Sequence, residues 1–378
     1  MNEIQNTPEL RFEGFAEPWE QKELGKLVDV CNGKDYKHLD KGDIPVYGTG
    51  GYMTSVSEAL SYSEDAIGIG RKGTIDKPYI LRAPFWTVDT LFYAIPKHEV
   101  DLDFALCLFS NINWRSKDES SGVPSLSKQT IDTTQAKIPE FAEQHIIGVF
   151  SHNLDSFIAL HQRKYERLQH LKQALLRKMF PKPGEQVPEL RFDGFTEPWK
   201  EYRLGDLGEV AMCKRIYKDQ TSDSGDVPFF KIGTFGGKPD AYISNELFEE
   251  YRSKFPFPDA GDVLISAAGT IGRTVVYNGE RAYYQDSNIV WLKHGDEINN
   301  LFFLHFLKVK DWKNLEGSTL KRLYNKDILE TPIALPETAE QNAVGSFFRD
   351  IDSLIALHQR KYERLRRLKQ ALLRKMFV

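Results

Sequence analysis

One pattern occurs twice along this chain, and that repetition limits the fold to two copies of a single unit held in a common frame. PELRFEGFAEPW at Pro8–Trp19 returns as PELRFDGFTEPW at Pro188–Trp199, identical at ten of twelve positions. IALHQRKYERLQHLKQALLRKMF at Ile158–Phe180 returns as IALHQRKYERLRRLKQALLRKMF at Ile355–Phe377, identical at 21 of 23. The offset is 180 residues at the front and 197 at the back, so 17 extra residues lie inside the second copy. Between these near-copies only landmarks align: LGKLVDV with LGDLGEV, GRKGTID with SAAGTIGR, and IPEFAEQ with LPETAEQ. A frame kept alike suits two copies of one partner surface, whereas divergent interiors suit two different ligands.

Each copy ends in a heptad pattern that predicts a long helix. With Ile147 at position a, the a/d series runs Ile147, Phe150, Leu154, Phe157, His161, Lys164, Leu168, Leu171, Leu175 and Lys178. The second copy runs Val344, Phe347, Ile351, Leu354, His358, Lys361, Leu365, Leu368, Leu372 and Lys375, with the same polar interruption. Sustained heptads need a partner helix, and the simplest partner is the other copy. His161 and His358 are read as seam residues. Pro181, Pro183 and Gly184 stop the first helix, because proline cannot continue the hydrogen-bond ladder. The interiors alternate short apolar runs (66–70, 79–81, 91–95, 263–266, 274–277, 289–292) with helical patches at 104–111 and 301–309. The expected class is therefore α+β: two globular mixed α/β units joined by two long antiparallel coiled-coil helices, related by a pseudo-twofold repeat. The boundaries expected are 1–141 and 181–338 for the globular units, and 142–180 and 339–378 for the helices.

A formal net charge of −4 argues at face value against a nucleic-acid binder, but the charge is unevenly spread. Residues 161–180 carry +5 and residues 358–378 carry +7, which leaves −16 on the remainder. The basic tails read as a protein-docking or DNA-backbone surface. Cys31, Cys107 and Cys213 lack the spacing of a zinc site or disulfide framework and read as reduced packing residues, and no metal site is expected. No apolar stretch reaches the ~18 residues of a membrane span, and the first residues lack a signal-peptide core, so a cytoplasmic protein is expected.

No catalytic constellation emerges. GxxxxGK[ST], HExxH, GxSxG and an Asn/Asp-Pro-Pro-aromatic run are all missing from the sequence, so no catalytic residue is assigned. Candidate contact residues lie instead on glycine-rich and polar loops. The GTI turns at Gly73–Ile75 and Gly269–Ile271 read either as plain hairpin turns or as tips presenting Arg71, Lys72 and Thr74, and Thr270 and Arg273. Arginine can bind guanine bidentately and either cation can neutralise phosphate. Tyr47 and Thr49 in the Gly48–Gly51 loop, and Lys231 and Thr234 before Gly237, lie where backbone amides can hold phosphate. Ser125 and Lys128, and Ser318, Lys321 and Arg322, occupy polar loops ahead of the exit helices, where ordinary exposed loop and DNA contact are equally open. Lys34, Lys214 and Arg215 complete the candidate set. Asp89 and Asp286, after aromatic-rich runs, are read mainly as turn or cap residues.

In their order, these marks resemble the specificity subunits of Type I restriction-modification enzymes. The resemblance rests on Leu24–Val30 and Leu204–Val210, on GDVLIS…GTIGR at Gly261–Arg273, and on IPEFAEQ and LPETAEQ at 138–144 and 335–341 before helices ending in LKQALLRKMF. It covers nearly the whole chain. One departure is GRKGTID at Gly70–Asp76, which lacks the second glycine of GTIG. The resemblance implies two target recognition domains, each reading half of a split site in double-stranded DNA through the major groove. The helices would then set the gap and dock two adenine-methylating modification subunits. Two ATP-driven restriction subunits would complete the assembly, with S-adenosylmethionine, ATP and Mg²⁺ bound by those partners and no cofactor in this chain. A pseudo-symmetric coiled-coil adaptor without nucleic acid is the competing reading, and the acidic balance outside the helices favours it mildly.

Overall fold

A computed structural model describes residues 6–312 and 322–378. The chain divides into two compact units, Met1–Arg163 with His358–Val378, and Lys164–Leu357. Two helices of 39 residues each, Phe141–Met179 and Thr338–Met376, contribute one part to each unit.

The first unit is built on a four-stranded antiparallel sheet in the order Val28–Asn32, Leu91–Pro96, Ala66–Gly70 and Tyr79–Leu81. A three-stranded sheet places Ile44–Gly48 between Gly51–Val56, antiparallel, and Trp86–Thr87, parallel. A third pairing, Glu20–Glu23 against Gln135–Ile138, brings the start and end of the domain together. The second unit repeats all three. Its sheets run Gly208–Ala211, Ile289–His294, Val263–Ser266, Thr274–Val276, then Tyr242–Ile243, Val227–Phe230, Tyr283–Tyr284, with Lys200–Arg203 on Pro332–Leu335. The apolar runs of the sequence are these strands because one or both faces are buried, as in Ala66–Gly70 and Val263–Ser266, where every residue is buried. Helix Asn245–Lys254 has no counterpart in the first unit and accommodates much of the extra length.

The repeated framing motifs are explained by one set of contacts made twice. In the first unit the Arg11 guanidinium donates through Nε and Nη2 to Glu143 at 2.7 and 2.8 Å. In the second, Arg191 does the same to Glu340 at 2.7 Å for both bonds, and Trp199 Nε1 adds a third donor at 3.2 Å. Both carboxylates are buried, so each needs its fork-on-fork partner. The next residue clamps as well: Gln144 and Gln341 donate to the Pro139 and Pro336 carbonyls and accept from the Asp101 and Asn299 amides. Asp101 and Asn299 then cap helices Leu102–Asn111 and Asn300–Val309. Gly148 and Gly345 sit where the long helices meet these capped ends. A Cβ there would lie 2.5 Å from Asp101 Oδ1 and 2.8 Å from Leu301 Cβ, so only glycine permits the approach.

The LRKMF tails are alike because each plugs the same core. Phe377 packs on Trp19 and Phe104 in the first unit, with ring centroids 5.6 and 5.5 Å apart, and Phe180 packs on Trp199 and Phe302 in the second at 6.1 and 5.1 Å. Within each unit the helix segments run antiparallel. In the first, Asp155 meets Lys369 and His161 Nδ1 lies 2.9 Å from His358 Nδ1; in the second, Lys172 and Lys308 both meet Asp352.

From Phe157 and Leu354 onward the phase of this seam departs from the heptad assignment by one residue at every second position. Ile147, Leu154, Leu168, Leu175, Val344, Ile351, Leu365 and Leu372 are buried or half-buried, and so are Phe150 and Phe347, which pack on Phe12 and Phe192. Phe157, Leu171, Leu354 and Leu368 are instead 54, 47, 46 and 45% exposed. The inward places belong to the next residues, Ile158, Lys172, Ile355 and Lys369. Phe157 and Ile158 are both apolar, and the polar choices at 172 and 369 bury long stems whose ammonium groups meet Asp352 and Asp155. Counting apolar residues alone therefore selects the wrong neighbour.

Cys31, Cys107 and Cys213 are free thiols. Burial pushes Cys107 up to about 11 and Cys213 up to about 12, so neither ionises at neutral pH. Among the described residues no helix is long and apolar enough to cross a membrane.

Candidate nucleic-acid interface

Loops scattered through the sequence converge in each unit on one short segment. In the first it is Thr87–Thr90, immediately after the parallel strand. Thr87 O accepts from Lys34 N at 2.9 Å, and Trp86 Nε1 returns a bond to Lys34 O at 2.8 Å. Val88 N donates to Tyr47 O, while Thr90 O accepts from the amides of both Arg71 and Lys72. Ser125 pairs with Lys72 in an isolated bridge, and Leu126 N donates to Arg71 O. Tyr79 Oη donates to Gly48 O at 2.6 Å, tying the Gly48–Gly51 turn to the sheet. Lys34, Tyr47, Arg71, Lys72 and Ser125 are thus joined to one scaffold. Thr49 and Thr74 are half-buried in the two adjacent turns, and a Cβ added to Gly73, at φ +90°, would lie 4.0 Å from Thr49 Oγ1. Lys128 lies apart from these bonds, exposed at the start of helix Lys128–Thr133.

In the second unit the equivalent segment is Gln285–Asn288. Gln285 N donates to Phe230 O, and its side-chain oxygen accepts from Ile232 N at 2.8 Å, fixing the Lys231–Gly237 loop. Asp286 Oδ2 accepts from Arg215 Nε at 2.8 Å, and Ser287 O accepts from Arg322 Nη2 at 2.6 Å. Ser287 has φ +51°, a left-handed conformation uncommon outside glycine. Asn288 O accepts from Ala267 N, and Ala267 O from Leu323 N. Thr234 Oγ1 accepts from Lys231 N, and Lys231 Nζ pairs with Asp240 at 2.9 Å. Arg273, beside the exposed Thr270, reaches Gly236 O at 3.3 Å. Tyr283 Oη donates to Lys214 O, and the Lys214 ammonium lies 5.0 Å from the centre of the Phe255 ring. Lys231, Thr234, Thr270, Arg273, Lys214, Arg215 and Arg322 therefore share one connected region; Ser318 and Lys321 lie outside the described residues.

The missing glycine of GRKGTID has a structural reason. Gly272 in the second copy has φ +77°, and a Cβ there would fall 2.3 Å from the Trp312 ring. Its counterpart Asp76 carries a side chain and accepts from Arg115 Nε at 2.5 Å. That bond holds its carboxyl below the usual carboxylate range. Two features were not legible beforehand. Asp286 is the acceptor that orients Arg215, and Tyr52 and Tyr324 stand exposed beside the converging turns. Their signal is tertiary, since Asp286 and Arg215 are 71 residues apart.

The chain matches the family described as Type I restriction modification DNA specificity domain over residues 16–170 and again over 196–367. It is 35% identical over 377 aligned positions to a putative type I restriction enzyme specificity subunit of Haemophilus influenzae, covering 94% of this chain and 96% of that one. Its fold is similar to the crystal structure of a Type-I restriction-modification system S subunit from M. genitalium, at a TM-score of 0.70 and 16% identity, covering 98% and 99% of the two chains. A chain from a structure of a type I R-M system describing complex assembly and conformational transition aligns at a TM-score of 0.52 and 18% identity, covering 95% and 97%.

Proposed function

The chain belongs to the Type I restriction-modification specificity subunits, with two target recognition domains, and on that premise we propose that each domain reads a different half of a split DNA site through the major groove. The observation that carries this reading is the pair of equivalent segments, Thr87–Thr90 and Gln285–Asn288, each gathering loops with its own set of cations. A common scaffold with divergent tips is what two unlike half-sites require.

In this reading the long helices set the gap and dock two modification subunits, with two restriction subunits completing the cytoplasmic assembly. A helix of 39 residues rises about 58 Å, ample for half-sites that recur on one DNA face about every 34–36 Å. The outward apolar residues support docking of two like partners, for they occur as repeat-related pairs: Phe157 with Leu354, Leu160 with Leu357, and Leu171 with Leu368. Adenine methylation and ATP-driven cleavage belong to those partners, which bind S-adenosylmethionine, ATP and Mg²⁺, and this chain supplies targeting. Family membership favours this over an adaptor without nucleic acid.

The test is exchange of one interior, residues 20–138 or 200–333, for that of a related chain, with the methylated motif read across the host genome. One half of the motif changes and the other stays. A swap that altered both halves together would contradict separate reading.

A further inference from the structure

The two candidate surfaces differ at the loop that follows the first strand of their four-stranded sheets. In the first unit that loop carries Lys34, whose carbonyl accepts from Trp86 as that of Lys214 accepts from Tyr283 in the second, and then Asp35 at the place of Arg215. In the second it carries Arg215, whose side chain is 58% exposed and whose Nε donates to Asp286, only 15% exposed. The Asp286 backbone is held on both sides, by Gln285 N on Phe230 O and by Asn288 N on its own carbonyl at 2.6 Å. Arg322 secures the adjoining Ser287 carbonyl. The carboxylate is thus a fixed post, and it engages Arg215 through Nε while the outer Nη1–Nη2 edge meets no protein acceptor among the described residues.

This arrangement favours base reading over phosphate binding. Pairing with Asp286 cancels the charge of Arg215 locally, which weakens attraction to phosphate but leaves two parallel N–H donors in a set direction. In the major groove, guanine alone presents two adjacent acceptors, N7 and O6; adenine pairs its acceptor with a donor, and thymine and cytosine lack a second acceptor. Immobilising the fork before binding also reduces the ordering cost on contact. Resting on the function proposed above, we infer that Arg215, positioned by Asp286, reads a guanine through N7 and O6 in the half-site bound by the second domain. The first domain has no such fixed fork at the equivalent place.

The experiment uses the full chain assembled with its modification subunits and duplexes carrying the methylated motif of the wild-type complex. Each guanine of the second half-site is replaced in turn by 7-deazaguanine, which lacks N7, and by inosine, which keeps N7 and O6. One 7-deazaguanine position is expected to weaken binding roughly ten- to hundred-fold, the size of one hydrogen bond from a charged donor, while inosine there changes little. Arg215→Met, which keeps the stem but has no donor, abolishes that penalty and relaxes the methylated motif at that position alone, the unchanged first half-site showing that the complex is intact. Asp286→Asn frees the charge, so non-specific affinity rises while the guanine preference falls; a merely structural defect would not raise affinity. The inference is overturned if Arg215→Met keeps the full 7-deazaguanine penalty. It is equally overturned if Arg215→Ala weakens all sequences alike and lowers the salt slope by about one, the signature of a phosphate contact. A wild-type complex with no split motif would sink the functional reading itself, whereas an intact motif in Arg215→Met would sink only the assignment of this residue.

Discussion

His305 makes the second unit sensitive to acid. Its side chain is fully buried on helix Asn300–Val309, 5.0 Å from the Phe348 ring centre, and neither ring nitrogen has a hydrogen-bond partner. Burial lowers its pKa to about 3, with Lys308 and Lys172 adding to the effect and Asp352 opposing it. Because the folded pKa lies below the ordinary 6.5, the unfolded chain takes up the proton first as pH falls. Stability is therefore full above about 6.5 and declines from there toward pH 3, at about 1.4 kcal/mol per pH unit. At pH 5 the loss is about 2 kcal/mol, or about 4–8 °C in the melting temperature of a unit this size. His305→Phe keeps a ring on Phe348 and removes the titration. Thermal melts of the full chain at pH 7 and pH 5, followed by circular dichroism, should show the wild-type transition falling further than that of His305→Phe by this amount. Equal falls in the two proteins would refute the argument, because every other titrating group is common to both.

Three further outcomes follow from the fold. Arg191→Met or Glu340→Gln should each cost about 3–5 kcal/mol in chemical denaturation by stranding one member of a buried pair, with the double variant costing less than the sum. On the first helix, Ile158→Ala should lower stability by about 1–2 kcal/mol, whereas Phe157→Ala should change it by less than about 0.5. Phe157→Ala and its counterpart Leu354→Ala should instead weaken co-purification of modification subunits; unaffected assembly would remove that role from the outward row.

Much of the frame was legible in the sequence because its signals are local. Leu91–Pro96, Val263–Ser266 and the 39-residue helices follow from apolar runs, caps and heptads, and the proline-rich stop after Met179 follows from backbone chemistry. The seam phase was not legible, since apolar side chains stand at both Phe157 and Ile158, and only the pairing of Lys369 with Asp155 decides the face. The candidate loops were legible singly, from glycine and cation content, but their convergence was not. Thr90 gathers Arg71 and Lys72 through backbone bonds, and Asp286 orients Arg215 across 71 residues, with no short-range trace of either.

The central claim is that this chain supplies the sequence reading of a DNA-modifying assembly, and genome-wide adenine methylation tests it most directly. A host expressing the chain with its modification subunit should methylate a split motif with two unlike halves, and a host expressing the modification subunit alone should not. Assembly of the complex without any such motif would contradict the account.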